Sequence, residues 1–287
     1  MNLSQTLLLV SEKEKAKAKA NGTLLNVALL LKRHRKSADV NLIRGSDAFY
    51  LPAVNVKARI KWGRVFATEM FKFFDIDDDD IGPDEPMFLV TLADKSHLTT
   101  DQPQQIDLRQ IKRKLGSGLK GLSYIGMIEP GYYNVIFDEF GEQQKNVVSW
   151  HGHFLVWGVT KKQLTRQLKR IKPRFMPIMP GLCAMHKKEI EPDQFGYKLW
   201  YIVKSPCKEY SIGKHLVRDP KSGAAKFKQN SRPIRPGNRV KLFHLMRDMY
   251  LDKLAMAGSE GRELLRQIKY EALREYRRKN GWNDRRL

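Results

Sequence analysis

Between residues 87 and 206 the hydrophobic positions follow two alternating periods, and this alternation predicts a mixed unit of helices and strands. Apolar runs predict four strands, at 87–93, 121–129, 147–157 and 181–190. Helical spacing predicts helices at 103–116, 160–173 and 193–206. The order strand, helix, strand, strand, helix, strand is that of the split βαβ, or ferredoxin-like, arrangement. We therefore expect an α+β fold with an antiparallel sheet, its first and third strands as central partners, the long helices on one face and the other face open.

The segments on either side of this unit differ from it in composition. Residues 1–73 read as mostly helical, and the acidic stretch at 74–86 reads as a solvated linker because it lacks the ligand spacing of a calcium loop. The basic stretch from Lys221 to Lys241 is expected to be an arm or loop, and apolar spacing in 246–256 and 263–279 predicts a C-terminal helical hairpin. We therefore predict three parts, at 1–84, 85–212 and 213–287.

Net charge points to a class of partner. Lysine and arginine outnumber aspartate and glutamate 53 to 31, which gives a net charge of +22. Such an excess favours a nucleic acid, because each phosphate that is neutralised releases condensed counterions. No segment is apolar enough to span a membrane, the start lacks a signal-peptide pattern, and Cys183 and Cys207 form no disulfide framework. We expect a cytoplasmic protein that handles nucleic acid.

The third predicted strand contains SWHGHFLVWG, residues 149–158, which sets two histidines among large apolar side chains. Successive strand residues point to opposite faces, so His151 and His153 share one face while Trp150 and Phe154 take the other. An ordinary surface histidine beside a hydrogen-bonded one would explain the pair. A divalent-metal site would also explain it, provided that a carboxylate lies nearby.

The neighbouring strand can supply that carboxylate. The second strand is expected to continue through Pro130–Gly131, and a turn at Gly141 then returns the chain to the histidines. In the register where paired residue numbers sum to 282, Glu129 lies opposite His153 and shares its face. A slip of one residue would move Glu129 to the other face. The less favoured alternatives, near the turn, are Asp138 and Glu142.

The last helix of the unit carries GYKLWYIVKSP, in which Tyr197, Tyr201 and Lys204 fall on one helical face. Taken alone, this is the pattern of an amphipathic helix with tyrosines at the rim of a core. Beside a metal ion it gains a chemistry. A divalent ion that polarises a phosphate, with an ammonium group that favours phenolate, would make attack on phosphorus by a phenol feasible.

The HGH of the third strand and the YIVK on a later helix resemble the HUH endonuclease superfamily. FLVTL at 88–92 is similar to the first motif of its rolling-circle replication initiators (Rep type), in which the histidines also precede the tyrosine. The resemblance covers roughly residues 85–210. It implies an RRM-like fold and a nuclease that nicks and rejoins single-stranded DNA at a specific site, initiating rolling-circle replication of a plasmid or phage-like element.

The resemblance also implies roles for particular residues. His151, His153 and Glu129 would hold Mg²⁺ or Mn²⁺. Tyr201 would attack the DNA and leave a 5′-phosphotyrosine, and Lys204 would steady the phosphate or the phenolate. Basic side chains of the second helix and of the arm are expected to bind DNA, possible contacts being Lys161, Lys162, Arg166, Lys169, Arg170, Arg232 and Arg235.

Three departures from the family pattern matter. Gly152 stands where the family usually has a bulky apolar residue, so the packing behind the site is expected to differ. Tyr197 has the spacing of a second tyrosine, but Trp200 rather than lysine follows it by three, which favours Tyr201 as sole nucleophile. No GxxxxGK[ST] loop occurs, so unwinding an origin hairpin would need a host helicase or negative supercoiling.

Other functions fit the same residues. A transposase of the HUH type would use the same chemistry, and a metal hydrolase could act through activated water without Tyr201. A non-catalytic module would bind single strands by stacking bases on Tyr124 and Trp157 of an open sheet.

Overall fold

The computed structural model describes residues 1–20, 42–43, 50–77, 82–138, 140–179, 182–218 and 225–280. Within these ranges the fold is α+β, with one mixed sheet of eight strands and with eight α-helices. The strands are β1 (Met87–Leu92), β2 (Leu98–Thr100), β3 (Ser123–Phe137), β4 (Gln143–Trp157), β5 (Met185–Ile190), β6 (Lys208–Arg218), β7 (Ala225–Pro233) and β8 (Ala255–Gly258). The helices are α1 (Leu3–Ala20), α2 (Val56–Phe73), α3 (Leu108–Gly118), α4 (Lys161–Ile171), α5 (Phe195–Val203), α6 (Pro236–Met246), α7 (Leu251–Leu254) and α8 (Gly261–Asn280).

The sheet runs in the order β5-β1-β4-β3-β6-β7, with β2 beside β4 and β8 beside β3. β1 is antiparallel to both β5 and β4, and β3 is antiparallel to β4. β6 lies parallel to β3, which makes the whole sheet mixed. The predicted partnership of the first and third strands, here β1 and β4, is confirmed.

The β3–β4 hairpin has a register that differs from the prediction. Paired residue numbers sum to 280 along its whole length, so Glu129 lies opposite His151 and not opposite His153. The turn is centred one residue earlier than expected, because the Asp138 carboxylate accepts hydrogen bonds from the backbone N–H groups of Phe140 and Glu142, at 3.0 and 2.9 Å. The register is wrong by two, and an even shift keeps each side chain on its predicted face.

Helices α3 and α4 share one face of the sheet, as predicted. Gly118 of α3 lies so close to α4 and β1 that an added Cβ would contact Ile171 of α4 at 3.1 Å and Leu92 of β1 at 3.2 Å. Leu92 pairs with Gly152, so this is the face away from the histidines. Segment 160–173 is therefore placed behind the sheet relative to the candidate site.

The prediction of an open second face is wrong. Trp62 of α2 lies over it and donates its indole N–H to the Met127 sulfur at 3.1 Å. Helix α5 covers the neighbouring part of this face, and α1 packs on both helices, with Val10 and Val203 crowding Gly63. The apolar side of α2 must be buried somewhere, and Trp62 is fully buried here. Residues 21–41 of the predicted helical region lie outside the described residues.

The C-terminal part also corrects two predictions. The helix expected at 246–256 is wrong, since Leu251–Leu254 is a single turn and Ala255–Gly258 forms β8, which pairs antiparallel with β3. Backbone pairing with the edge of the sheet overrides the helical spacing there. The basic stretch expected to be a loop contains β7, which pairs with β6, and the start of α6, whereas its residues 221–224 lie outside the described part.

One hydrophobic core joins the three predicted parts. It extends from Ile43 through the sheet to Ala272 of α8, and Leu242 of α6 belongs to it. The N-terminal helices are therefore part of the packing around the site. In the described ranges, no helix has both the length and the hydropathy that crossing a bilayer would need.

Candidate metal centre and tyrosine

The three predicted metal ligands meet on the covered face of the sheet. Glu129 Oε1 lies 2.9 Å from His153 Nε2 and 3.3 Å from His151 Nε2. One ligand atom from each side chain falls within 4.8 Å of the other two, and the described residues hold no second such group of three. The register explains the meeting, because Glu129 pairs with His151 directly while His153 is the next residue on the same face.

Each imidazole is oriented by a second hydrogen bond. His151 Nδ1 lies 3.2 Å from the Ser149 carbonyl oxygen, which can only accept, so Nδ1 carries the proton in the neutral ring. His153 Nδ1 lies 2.8 Å from the Thr91 hydroxyl, which can accept in the same way. With the proton of each ring on Nδ1, both rings direct an Nε2 lone pair towards Glu129. These two nitrogen atoms and the carboxylate oxygen then form a ligand set that fits a divalent cation.

The protonation states of Glu129 and His153 also favour binding of a metal ion. Burial lowers the pKa of His153 to about 4, so its ring is neutral at pH 7. Burial alone would raise the pKa of the Glu129 carboxyl, but the nearby Lys204 ammonium group holds it well below its usual range. Neutral imidazoles and an ionised carboxylate are the forms that bind metal. The donor set by itself is compatible with several divalent ions.

Lys204 is the positive partner of this carboxylate. Its Nζ lies 2.9 Å from both Glu129 oxygens, and both side chains are about 14% exposed. Burial lowers the pKa of Lys204, but the attraction of Glu129 outweighs that effect and raises it. Lys204 is thus a fixed cation at the site. It is the residue that follows the last turn of α5 and lies just outside the helix.

Tyr201, on α5, lies beside the two histidines of β4. Its ring centroid is 5.0 Å from that of His153, and Lys204 Nζ lies 4.0 Å from the Tyr201 ring centroid. Burial raises the pKa of the Tyr201 phenol, and Lys204 opposes that shift. Tyr197 is further out and 42% exposed, with its ring 5.3 Å from that of Trp200. Both tyrosines line a cavity of about 200 Å³ that also contacts His151.

The N-terminal helices hold the backbone around Lys204. The buried Ser205 hydroxyl donates to the Glu14 carboxylate of α1 at 2.8 Å, and the Ser205 N–H donates to the same group at 3.4 Å. Arg59 of α2 donates to the Val203 carbonyl oxygen at 3.4 Å. Lys204 lies between these two anchored residues, so α1 and α2 position it.

Several residues of the site were missed by sequence reasoning. Thr91 could have been found, because it is the one polar residue in the apolar strand MFLVTL. Tyr133 and Tyr210 pair across β3 and β6 with ring centroids 5.3 Å apart, and burial raises the pKa of Tyr133 to about 12. Tyr210 and Cys207 line the site cavity. No local sequence pattern predicts Tyr210 and Cys207 at the site, because the start of β6 is brought there by the pairing of β6 with β3.

Gly152 is explained by the ring next to it. A Cβ at Gly152 would lie 2.3 Å from Phe154 Cζ and 3.1 Å from Leu115 Cδ1. The Phe154 ring is confined on its other side by Gly126, where an added Cβ would lie 2.6 Å from Phe154 Cδ1. Phe154 therefore fills the space behind the histidines that a bulky residue at 152 would need.

The residues predicted to bind DNA fall in two places, neither of them at the metal ligands. The five on α4 are exposed, but α4 lies behind the sheet. Arg232 and Arg235 both contact the fully buried Glu209, at 2.6 and 2.8 Å, and so they hold β7 and α6 to the sheet. Asn238 adds a hydrogen bond to Glu209 at 2.7 Å.

The aromatic platform expected for a non-catalytic binding module is wrong. Tyr124 is 5% exposed and Trp157 is 2% exposed. Tyr124 packs edge-on against Phe154. Trp157 packs edge-on against Phe73, and its indole N–H donates to Glu260 at 3.1 Å. Neither ring can receive a base from solvent.

Taken together, the site offers a two-histidine, one-carboxylate donor set with a phenol and a fixed ammonium group beside it. Such a set can bind a cation that polarises a phosphate, and the Tyr201 ring lies beside it, with its centroid 5.0 Å from that of His153. Asp138 and Glu142, the alternative ligands, lie in the hairpin turn and take no part. No family model, curated protein or solved structure matches the chain.

Proposed function

We propose that the protein is a metal-dependent endonuclease that cuts and rejoins single-stranded DNA, with Tyr201 as nucleophile, in the manner of the HUH initiators that the sequence resembles. Its role would be to start rolling-circle replication of a plasmid or phage-like element. The observation that carries the proposal is the contact of Tyr201 and Lys204 with the Glu129–His151–His153 group. The antiparallel order β5-β1-β4-β3 supports assigning the RRM-like, split βαβ arrangement to this part of the sheet.

The chain's residues divide the chemistry between them. His151, His153 and Glu129 would hold Mg²⁺ or Mn²⁺, which when bound draws electron density from the phosphate. The Tyr201 oxygen forms a bond to phosphorus and releases its proton to water as the bond from phosphorus to the 3′-oxygen breaks. That oxygen takes up a proton and leaves as a 3′-hydroxyl. Lys204 stabilises the negative charge on the phenolate. Rejoining is the reverse, with a 3′-hydroxyl attacking the phosphotyrosine.

Adduct formation tests this function. The purified protein is incubated with Mn²⁺ and fluorescent single-stranded oligonucleotides that tile the DNA around its own gene, and adducts are resolved by SDS gel electrophoresis. We expect an SDS-resistant adduct with the parent protein and with Tyr197→Phe, the matched control on the same helix. We expect none with Tyr201→Phe, or in EDTA.

Two results would contradict the proposal. An undiminished adduct with Tyr201→Phe would mean that another residue is the nucleophile. An undiminished adduct with His153→Ala would mean that the metal group has no part in cleavage. The folding of each variant is checked by thermal denaturation in EDTA.

A further inference from the structure

Helix α4 and the turn after it form a basic surface behind the sheet. Residues 160–175 include no aspartate or glutamate, and their basic residues are Lys161, Lys162, Arg166, Lys169, Arg170, Lys172 and Arg174. All of these side chains are exposed. Lys161 pairs with Glu189 at 2.9 Å, which neutralises only one end of the surface. A concentration of one charge sign at the surface attracts a polyanion.

A cavity of about 500 Å³ opens beside this surface, between α4 and β5. Its walls are largely apolar, and they include Leu168, Phe175, Pro177 and Met185. Three lysines also line it, Lys169, Lys172 and Lys187. The volume falls within the range of about 300 to 1,000 Å³ that is typical of pockets for small organic groups.

Strand β5 connects this cavity with the metal ligands. It lies at one end of the strand order, and its side chains alternate, with Lys187 on the cavity face and His186 and Lys188 on the histidine face. His186 pairs with Thr91, whose hydroxyl contacts His153. β5 and β4 are two strand spacings apart, about 10 Å. A flexible single strand can therefore pass from the cavity round this edge to the site.

We propose that the cavity receives one unstacked nucleobase of the DNA, with the flanking phosphates on Lys169, Lys172 and Lys187. The strand would then pass round β5, over His186 and Lys188, to the site. This inference rests on the proposed function, which requires a single strand at that site. A nucleotide combines a flat apolar face with a charged backbone, and this combination matches an apolar cavity edged by lysines.

The phosphate contacts are tested by salt dependence. The affinity of the protein in EDTA for a fluorescein-labelled (dT)₁₂ strand is measured by anisotropy across a range of salt concentrations. Lys169→Ala/Lys172→Ala should flatten the slope of log affinity against log salt by about 1.4, which is about 0.7 for each lost contact with a single strand. The matched control is Arg266→Ala/Arg274→Ala on α8, which removes two exposed charges elsewhere and should leave the slope unchanged.

The base contact is tested by filling the cavity. Cys183 is exposed and lines the cavity, so Cys183→Phe adds bulk without changing charge, and Cys183→Ala is its control. The probe is the same strand with one central 2-aminopurine, whose fluorescence reports the surroundings of that base. We expect a change in fluorescence on binding to the parent and to Cys183→Ala, and at least a halved change with Cys183→Phe.

The outcomes separate this inference from the proposed function. Equal fluorescence changes in the two Cys183 variants would overturn the base pocket, and so would equal salt slopes in the two double variants. If the parent still formed an adduct through Tyr201, the proposed function would stand without the pocket. Adduct formation by Tyr201→Phe would overturn the proposed function, whatever the binding data showed.

Discussion

The Glu129–Lys204 ion pair gives the sharpest test of the site, because both partners can be replaced by uncharged side chains of similar shape. Nζ lies 2.9 Å from each carboxylate oxygen and both side chains are about 14% exposed. At 2.9 Å and an effective dielectric constant of about 20, the gross attraction is about 6 kcal/mol. Loss of hydration offsets part of it, so we expect a net coupling of about 2 to 4 kcal/mol.

A double-mutant cycle measures that coupling. Glu129→Gln, Lys204→Met and the double variant are unfolded with urea at pH 7 in EDTA. We expect Glu129→Gln to lose about 3 kcal/mol of unfolding free energy, because it leaves a buried ammonium group without its carboxylate. Lys204→Met should lose less, since a neighbouring imidazole can take up a proton and face Glu129. The double variant should recover most of the loss. Lys198→Met, on the same helix, is the control.

Metal binding then separates the two partners of the pair. Lys204 donates hydrogen bonds to both Glu129 oxygens, so it competes with a metal cation for them. Calorimetric titration with MnCl₂ should therefore show tighter binding in Lys204→Met and weaker binding in Glu129→Gln, each by tenfold or more, which is about 1.4 kcal/mol. A coupling below about 0.5 kcal/mol, or weaker Mn²⁺ binding in Lys204→Met, would refute this account of the site.

Three further predictions concern stability. Gly152→Ala should lower the free energy of unfolding by urea by about 1 to 3 kcal/mol, because its Cβ would collide with the confined Phe154 ring. Gly237→Ala is the control and should leave that free energy unchanged, because there is open space around it. Equal effects of the two substitutions would contradict this packing. Burial lowers the pKa of His153 from about 6.5 to about 4, so between these pH values the unfolded chain binds a proton that the folded chain does not. The free energy of unfolding in EDTA should therefore fall by up to about 3 kcal/mol as the pH drops from about 6.5 to about 4. His153→Gln should flatten this pH profile, and an unchanged profile would exclude the histidine as its cause. Glu209→Gln should cost about 2 to 4 kcal/mol, measured by urea unfolding, because the fully buried carboxylate binds two arginines and an asparagine; a loss below about 0.5 kcal/mol would contradict that role.

Local periodicity was enough to find the three residues that could hold a metal ion. Alternation along β4 put His151 and His153 on one face, and continuity of β3 put Glu129 on the face that meets them. The expected register was wrong because the Asp138 turn closes one residue earlier, which a strand pattern cannot reveal. The error was harmless only because the shift is even, and an odd shift would have separated the carboxylate from both imidazoles.

What covers the site could not be predicted in this way. Trp62 reaches Met127 across 65 residues of chain, and Ser205 reaches Glu14 across 191. Such contacts depend on which apolar helix finds which uncovered face, and no local spacing encodes that choice. The same limitation produced the error at β8, where helical spacing around Ala255 gave way to pairing with the edge of β3.

The covered face bears on what substrate the site can take. A sheet that bound nucleic acid over an open surface would expose its aromatic rings, but here α2 and α5 lie over that surface. A cavity of about 200 Å³ between β3, α5 and the start of β6 opens onto the site, with Tyr197 and Lys208 at its lining. The major groove of a duplex is by itself about 12 Å wide, which is more than a cavity of this volume spans, so a duplex cannot fit in it. One extended phosphodiester strand can. Under the proposed function, the helices that hide the histidines thus exclude paired DNA and leave the single strand as the form that is cut.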